Sequence, residues 1–191
     1  MFMHRNRGRH AQAVSVGILT AGLIASAAPA AEATDPFVFV AYSNRTGGDE
    51  LSTGDYGNAA QAVRGQATMA DLQALDTNRC VAYTMTKQLV QARLACDAAV
   101  AQAHRADDAM LSFSVRTRRQ SDAAAAVAYS NRAVMHWLDS DMAAAGADLA
   151  KAQALAPQAS FVVRNLSALQ AHQNVASQTT ATAQLASAAH Q

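Results

Sequence analysis

Residues that end or bend regular structure are scarce in this chain, which has 9 Gly and 3 Pro among 191 residues. Aromatic residues make up only 5%, and residues that favour strands are sparse. These shortages exclude collagen-like, sandwich and barrel folds. An excess of one charge is also lacking, because 15 Lys and Arg oppose 14 Asp and Glu. A general binder of nucleic acid is therefore not expected.

Alanine is the residue that is abundant. The chain contains 48 Ala, about half of its 51% hydrophobic fraction. Alanine has the highest helix propensity and a side chain of one methyl group. The composition therefore predicts an all-α fold with closely packed helices.

The N-terminus has the pattern of a secretory signal peptide. Three arginines within the first nine residues precede an uncharged run over 11–31, which becomes rich in small residues. This order predicts a signal peptide over residues 1–33, with cleavage near Ala30 or Ala33. The alternative is an uncleaved membrane anchor, but the strongly apolar part is shorter than the roughly 20 residues that span a bilayer. We expect a periplasmic or secreted protein with no membrane span after cleavage.

The chain has two cysteines, Cys80 and Cys96, both beyond the predicted signal peptide. An even number of cysteines in an exported protein favours one disulfide. Two buried free thiols and a metal-binding pair are the alternatives. The spacing, without a second pair of ligands, is not a zinc pattern. We predict no metal site and no cofactor.

The remaining chain divides by its hydrophobic pattern. Residues 34–49 include the only β-like run and then Gly47 and Gly48, so we predict an extended lead-in. Residues 50–173 carry the three- and four-residue apolar spacings of amphipathic helices. Within them, the polar and poorly periodic residues 105–122 are predicted to be an inserted loop or bent connector. Residues 174–191 are poor in large apolar side chains, and we predict a disordered tail.

The stretch from Ala128 to Pro157 resembles a tetratricopeptide repeat over nearly its whole length. The resemblance rests on one aromatic site, several small sites, a turn and a closing proline, at Tyr129, Ala133, Asp141, Met142, Ala145, Leu149, Ala152 and Pro157. Three positions depart from the pattern: Arg132 stands for the usual Leu, His136 for the usual aromatic residue and Ser140 for the turn Gly.

The same frame fits two other parts of the chain. Asn165 follows Asn131 by 34 residues, which is about the period of this repeat type. Asn78 precedes Asn131 by 53 residues, one period plus a surplus that coincides with residues 105–122. The resemblance therefore implies an α-α superhelix of antiparallel hairpins, with repeats at about 74–103 and 126–157 and a half repeat at 159–173. Ala and Ser are expected where paired helices approach closest, and we call this line of contact a seam. Cys80, Ala133 and Ser167 should therefore occupy equivalent seams.

The pentapeptide Ala-Tyr-Ser-Asn-Arg occurs twice, at 41–45 and at 128–132. The second copy lies in the best repeat, whereas Gly47 and Gly48 follow the first at once. We therefore interpret the first copy as part of the extended lead-in, with an earlier repeat helix as the alternative.

Proteins that resemble tetratricopeptide repeats bind extended peptides or a partner's helix in a concave groove lined by their first helices. Carried over position by position, the resemblance implies a partner-binding groove formed by Asn78, Val81, Thr84, Met85, Ser130, Asn131, Val134, Trp137, Leu138, Arg164 and Asn165. Asn can donate and accept, which suits a peptide backbone, and Trp137 could be a large anchor. The alternative is that the Asn residues and Trp137 serve packing only.

The sequence contains no recognisable catalytic motif, and we predict no catalytic residues. The first hypothesis is a non-enzymatic module of the bacterial cell envelope that binds a peptide or partner protein in this groove. The second is a structural or self-associating accessory of an envelope complex whose groove is occupied internally, by its own tail or insertion. A hydrolase with an unrecognised site is a third hypothesis.

Overall fold

The structure, a computed structural model, describes residues 36–65, 68, 71–109 and 115–188. These ranges contain seven helices and no strand, so the all-α prediction is confirmed. The predicted signal peptide, residues 1–33, lies outside them. The helices are α1 Gly48–Thr53, α2 Tyr56–Ala62, α3 Leu72–Met85, α4 Leu89–Ala109, α5 Val115–Leu138, α6 Met142–Leu155 and α7 Ser160–Ala188. In the described ranges, no helix combines the length and the apolar character needed to cross a membrane.

The lead-in is shorter than we predicted. Residues 37–42 form neither helix nor strand, but helix α1 already begins at Gly48, where we expected the chain to remain extended to residue 49. Gly47 adopts φ 77°, a left-handed conformation that glycine accepts without steric cost, and it turns the chain into α1. Two adjacent glycines therefore begin a helix here.

Two helix pairs form the centre of the domain, α3 with α4 and α5 with α6. Short turns join the helices of each pair, as expected for antiparallel neighbours. Lys87 and Ser140 occupy corresponding places in the two turns, 53 residues apart, and both have positive φ, 57° and 64°. The next amide closes each turn in the same way, from Gln88 to the Tyr83 carbonyl and from Asp141 to the His136 carbonyl, both at 2.8 Å. Ser140 thus adopts the conformation expected of the turn Gly that it replaces.

The seams of the two pairs are filled differently. Cys80 of α3 and Cys96 of α4 form a disulfide with a Cα to Cα distance of 4.6 Å, so the predicted pairing is confirmed. The corresponding Ala133 and Leu149 pack together and are each 1% exposed. We predicted an equivalent seam at Ser167, and this prediction is wrong, because Ser167 is exposed. The reason is that α7 packs on α5 and α6 and has no second helix of its own to pair with.

The predicted inserted loop at 105–122 is wrong for most of its length. Helix α4 continues to Ala109 and helix α5 already begins at Val115. This stretch contains no Gly or Pro to end a helix. Polarity alone therefore did not indicate irregular structure, and residues 105–109 and 115–122 lengthen the two helices.

The predicted disordered tail is also corrected, because α7 continues through residue 174 to Ala188. The segment has only two large apolar residues, Val175 and Leu185, and residues 173–179 are exposed. Ala and Gln nevertheless favour helix, and neither Gly nor Pro interrupts the segment.

Candidate peptide-binding groove

Three asparagines at corresponding positions of α3, α5 and α7 form a row across these helices. Asn78, Asn131 and Asn165, hereafter the asparagine row, are each 0% exposed. A buried carboxamide needs partners for both its oxygen and its nitrogen. In this protein the partners are backbone groups of residues 37–42, hereafter the bound segment.

Each asparagine binds one residue of the bound segment through both of that residue's backbone groups. The Val38 amide donates to Asn165 Oδ1 at 2.7 Å, and Asn165 Nδ2 donates to the Val38 carbonyl at 2.9 Å. The Val40 amide donates to Asn131 Oδ1 at 3.0 Å, and Asn131 Nδ2 donates to the Val40 carbonyl at 2.7 Å. This pair of bonds resembles the exchange between two residues of an antiparallel sheet.

The third asparagine completes the pattern at the other end of the segment. The Tyr42 amide donates to Asn78 Oδ1 at 2.8 Å, and Asn78 Nδ2 donates to the Tyr42 carbonyl at 3.0 Å. The bound residues are 38, 40 and 42, so the spacing of two matches the period of an extended chain. The segment runs against the order of the helices, with its first residues on α7 and its last on α3. Backbone groups make all six bonds, so this recognition does not depend on which side chains the segment carries.

Two further bonds fix the asparagines themselves. Asn78 Nδ2 also donates to the Thr46 carbonyl at 3.1 Å, where the chain turns towards α1. Asn165 Nδ2 also donates to Ser130 Oγ at 2.9 Å, which links α7 to α5. The asparagine row therefore joins the bound segment and the helices in one hydrogen-bond network.

Side chains of the bound segment contact the groove on an apolar face. The Phe37 ring meets Trp137 edge to face, with ring centroids 3.9 Å apart. Trp137 also contacts His172, at 4.7 Å between centroids, so it both touches the segment and packs on α7. Phe39 and Ala41 pack against a buried cluster that includes Leu51.

The bound segment does not fill the groove. A cavity of about 250 Å³ lies beside it. The cavity is mainly apolar and is lined by the segment and by four helices, through Phe37, Val38, Phe39, Ala41, Leu51, Tyr56, Val81, Met85, Val134 and Leu138. Leu138 is 45% exposed, so the apolar lining reaches the surface.

The structure brings most of the predicted groove residues together. The asparagine row and Trp137 contact the bound segment, and Ser130 supports Asn165. Val81, Met85, Val134 and Leu138 line the cavity. Thr84 and Arg164 do not contribute as predicted: the Thr84 hydroxyl donates to the Cys80 carbonyl at 2.6 Å within α3, and Arg164 is exposed on α7.

Sequence reasoning missed the occupant of the groove. We expected the tail or the insertion in the case of internal occupancy, whereas the lead-in occupies it. The signal was present, because Phe37 to Tyr42 is the only β-like run in a chain of helices. An isolated extended segment needs partners for its backbone groups, and the asparagine row supplies them.

An ion-pair network lies next to the middle asparagine in the sequence. The neighbouring Arg132 donates to Asp148 through Nε at 2.7 Å and Nη2 at 2.9 Å, and through Nη1 to Asp97 at 2.8 Å. Hydrogen bonding to Asp148 raises the pKa of Arg132 above its ordinary value, against the opposing effect of burial. Arg132 thus joins α5 to α4 and α6, which accounts for a charged residue where the resemblance implied Leu.

Two tyrosines, Tyr42 and Tyr129, have raised pKa values. Burial raises the pKa of Tyr42, which belongs to the bound segment. Burial also raises the pKa of Tyr129, whose hydroxyl lies 2.6 Å from His104 Nε2. Both phenols therefore remain neutral over the physiological pH range.

We predict that Asn131→Ala weakens the hold on the bound segment. The change removes both partners of the Val40 backbone. Because Val40 is only half-buried, water can replace part of both bonds, and the two losses together should cost about 1–3 kcal/mol. Urea unfolding should show a loss in this range. Asn44→Ala is the matched control, because Asn44 occupies the same place in the repeated pentapeptide but is exposed; we expect a change within about 0.5 kcal/mol. Equal effects of the two substitutions would contradict the assigned role.

We predict that Gly48→Ala disturbs the turn after the bound segment. A Cβ on Gly48 would lie 2.1 Å from the Tyr42 carbonyl oxygen and 2.7 Å from the Ser43 Cα. Such overpacking costs about 1–3 kcal/mol. Gly57→Ala is the control: its Cβ would meet only Asp55 Oδ1, at 3.9 Å, and replacing Gly within a helix stabilises by about 0.5–1 kcal/mol. Thermal unfolding should shift in opposite directions, and a Gly48→Ala protein as stable as the parent would refute the close approach.

In the described ranges, no group of three or more His, Cys, Asp or Glu side chains is placed to hold a metal ion. No family model, curated protein or solved structure matches this chain. The candidate site is therefore defined by its geometry: a row of buried carboxamides that binds an extended backbone.

Proposed function

We propose that this chain is a non-enzymatic binding protein of the tetratricopeptide type, exported to the bacterial cell envelope, whose groove binds an extended peptide by its backbone. The observation that carries the proposal is the asparagine row. Each of its three members bonds to both backbone groups of one residue, and the three bound residues alternate along the segment. Two helix pairs in the same register support the assignment to this class. The disulfide is compatible with an oxidising compartment.

The alternative, an accessory whose groove is occupied internally, is favoured by one observation: the segment in the groove belongs to the chain itself. The two proposals differ in what the segment does. In the first it is displaced by a partner peptide, and in the second it remains as a structural part. The bound segment is tethered, so its effective concentration at the groove is on the order of millimolar. A partner peptide must therefore bind tightly, or bind a chain whose own segment is held less strongly in the groove.

The experiment uses the full chain with Val40→Pro. Proline has no amide hydrogen, so the bond to Asn131 Oδ1 is lost, and its φ remains compatible with an extended segment. A fluorescently labelled peptide with the sequence of residues 36–43, PFVFVAYS, is titrated against this variant and followed by anisotropy. We expect saturable binding to the variant, and much weaker binding to the parent chain, whose own segment competes.

Two controls isolate the groove. Val40→Ala trims the side chain but keeps the amide hydrogen, so it should exclude the peptide as the parent does. Val40→Pro combined with Asn131→Ala should bind the peptide weakly, because both partners of the central residue are gone. Binding that is unaffected by Asn131→Ala would refute backbone recognition by the asparagine row. Equal, weak binding to all variants would favour the structural alternative.

A further inference from the structure

We propose that the bound segment exchanges between two copies of this chain, so that the lead-in of one molecule occupies the groove of another. This inference rests on the proposed groove and names one partner for it. The first support is that the contacts of the segment with the groove lie within the segment itself. The six bonds of the asparagine row and the contact of Phe37 with Trp137 lie within residues 37–42. The same residues from a second molecule present the same groups.

The second support is the connection between the bound segment and the helices. Only residues 43–47 separate Tyr42 from α1, and they form a tight turn. The Arg45 amide donates to the Tyr42 carbonyl at 3.2 Å, and the Gly48 amide donates to the Arg45 carbonyl at 2.7 Å. Short connecting turns of this kind favour exchange of an element between identical chains, because opening one turn releases the element intact.

The third support is the unequal burial on the two sides of the contact. The bound segment is only half-buried along residues 37–42, whereas the asparagine row is fully buried beneath it. Departure of the segment therefore leaves the helical core in place and exposes three carboxamides with unpaired groups. A second copy restores all of their partners, so the exchanged dimer keeps the contacts of the monomer.

The tether explains which state dominates in the parent chain. The intramolecular segment competes at an effective concentration on the order of millimolar. At micromolar protein, the parent chain should therefore be monomeric, and exchange is detected only when the internal contact is removed. Two complementary full-length variants achieve this removal.

The segment variant carries Val38→Pro and Val40→Pro, which removes two amide donors and leaves the groove intact. The groove variant carries Asn131→Ala and Asn165→Ala, which removes two of the three asparagines and leaves the segment intact. Each alone should sediment as a monomer. An equimolar mixture should form a species of twice the monomer mass, in which the free segment of one chain occupies the free groove of the other.

The matched control mixes the segment variant with a chain carrying all four substitutions, which offers no intact segment and should give no complex. Far-UV circular dichroism confirms that each variant is helical; if any is unfolded, the milder pair Val40→Pro and Asn131→Ala replaces it. A mixture that stays monomeric while the free peptide binds the Val40→Pro chain overturns exchange and leaves the proposed groove standing. A failure of both experiments overturns the groove as well.

Discussion

Arg132→Ala should be among the most destabilising single substitutions in this chain. The change removes two hydrogen bonds from Asp148, which is 3% exposed, and one from Asp97. Breaking a buried pair from one side costs about 3–5 kcal/mol, and we expect the lower end of that range because Lys151 Nζ remains 3.9 Å from Asp148 Oδ1. Urea unfolding followed by circular dichroism measures this loss. It is a large fraction of the roughly 5–15 kcal/mol that a domain has in total.

The control is Arg93→Ala. Arg93 also pairs with an aspartate, Asp139, but its side chain is 59% exposed, and exposed pairs contribute at most about 1 kcal/mol. The double variant with Arg132→Leu and Asp148→Leu removes both charges, and we expect it to lose less than Arg132→Ala alone. If Arg132→Ala costs no more than Arg93→Ala, the network does not join the three helices as the contacts indicate.

Removal of the disulfide should have the second large effect. Cys80 and Cys96 are 16 residues apart in the sequence, and closing a loop of this size stabilises a protein by about 3 kcal/mol through the unfolded chain, on a model-dependent reckoning. Cys80→Ala with Cys96→Ala should therefore lower the free energy of unfolding by about this amount. Asn78 lies on α3 two residues before Cys80. If α3 is held less firmly without the disulfide, the bonds from Asn78 to the Tyr42 backbone should weaken at the same time. Exchange of the Tyr42 amide with deuterium measures that second effect.

The corresponding seam of the other helix pair provides the control. There, Ala133 packs against Leu149 without a covalent bond. Cys80→Ala with Cys96→Leu copies that pair, and we expect it to recover part of the stability that the double alanine variant loses, because Leu restores buried apolar surface. If the double alanine variant is as stable as the parent under oxidising conditions, helix packing alone holds α3 to α4.

The sequence pattern was sufficient to find the asparagine row. Asn78, Asn131 and Asn165 fall at one position of a single frame, and that frame also placed Ser130 and Trp137 near the groove. The pattern was insufficient for Thr84, whose hydroxyl bonds to its own helix. A repeat position specifies where the Cβ of a residue lies. It does not specify the hydrogen bond of a short hydroxyl, which can donate to a carbonyl of the preceding helical turn.

The errors over the predicted insertion and over the predicted tail have one cause. The predictions for residues 105–122 and 174–191 rested on polarity and on the lack of apolar periodicity, which indicate what a helix packs against. Whether a helix continues depends also on the absence of Gly and Pro and on the propensity of each residue. Helices α4 and α7 therefore continue to Ala109 and Ala188.

The repeated pentapeptide Ala-Tyr-Ser-Asn-Arg separates local from tertiary causes. Composition and propensity alone determined that this chain is helical, and cysteine usage and register determined the disulfide and the asparagine row. They could not determine the fate of the pentapeptide, which is helical at 128–132 and extended, then turning, at 41–45. Asn131 is buried within α5, whereas Asn44 is exposed. Only the tertiary structure decided this, because the backbone of the first copy finds in the asparagine row the hydrogen-bond partners that a helix would otherwise supply.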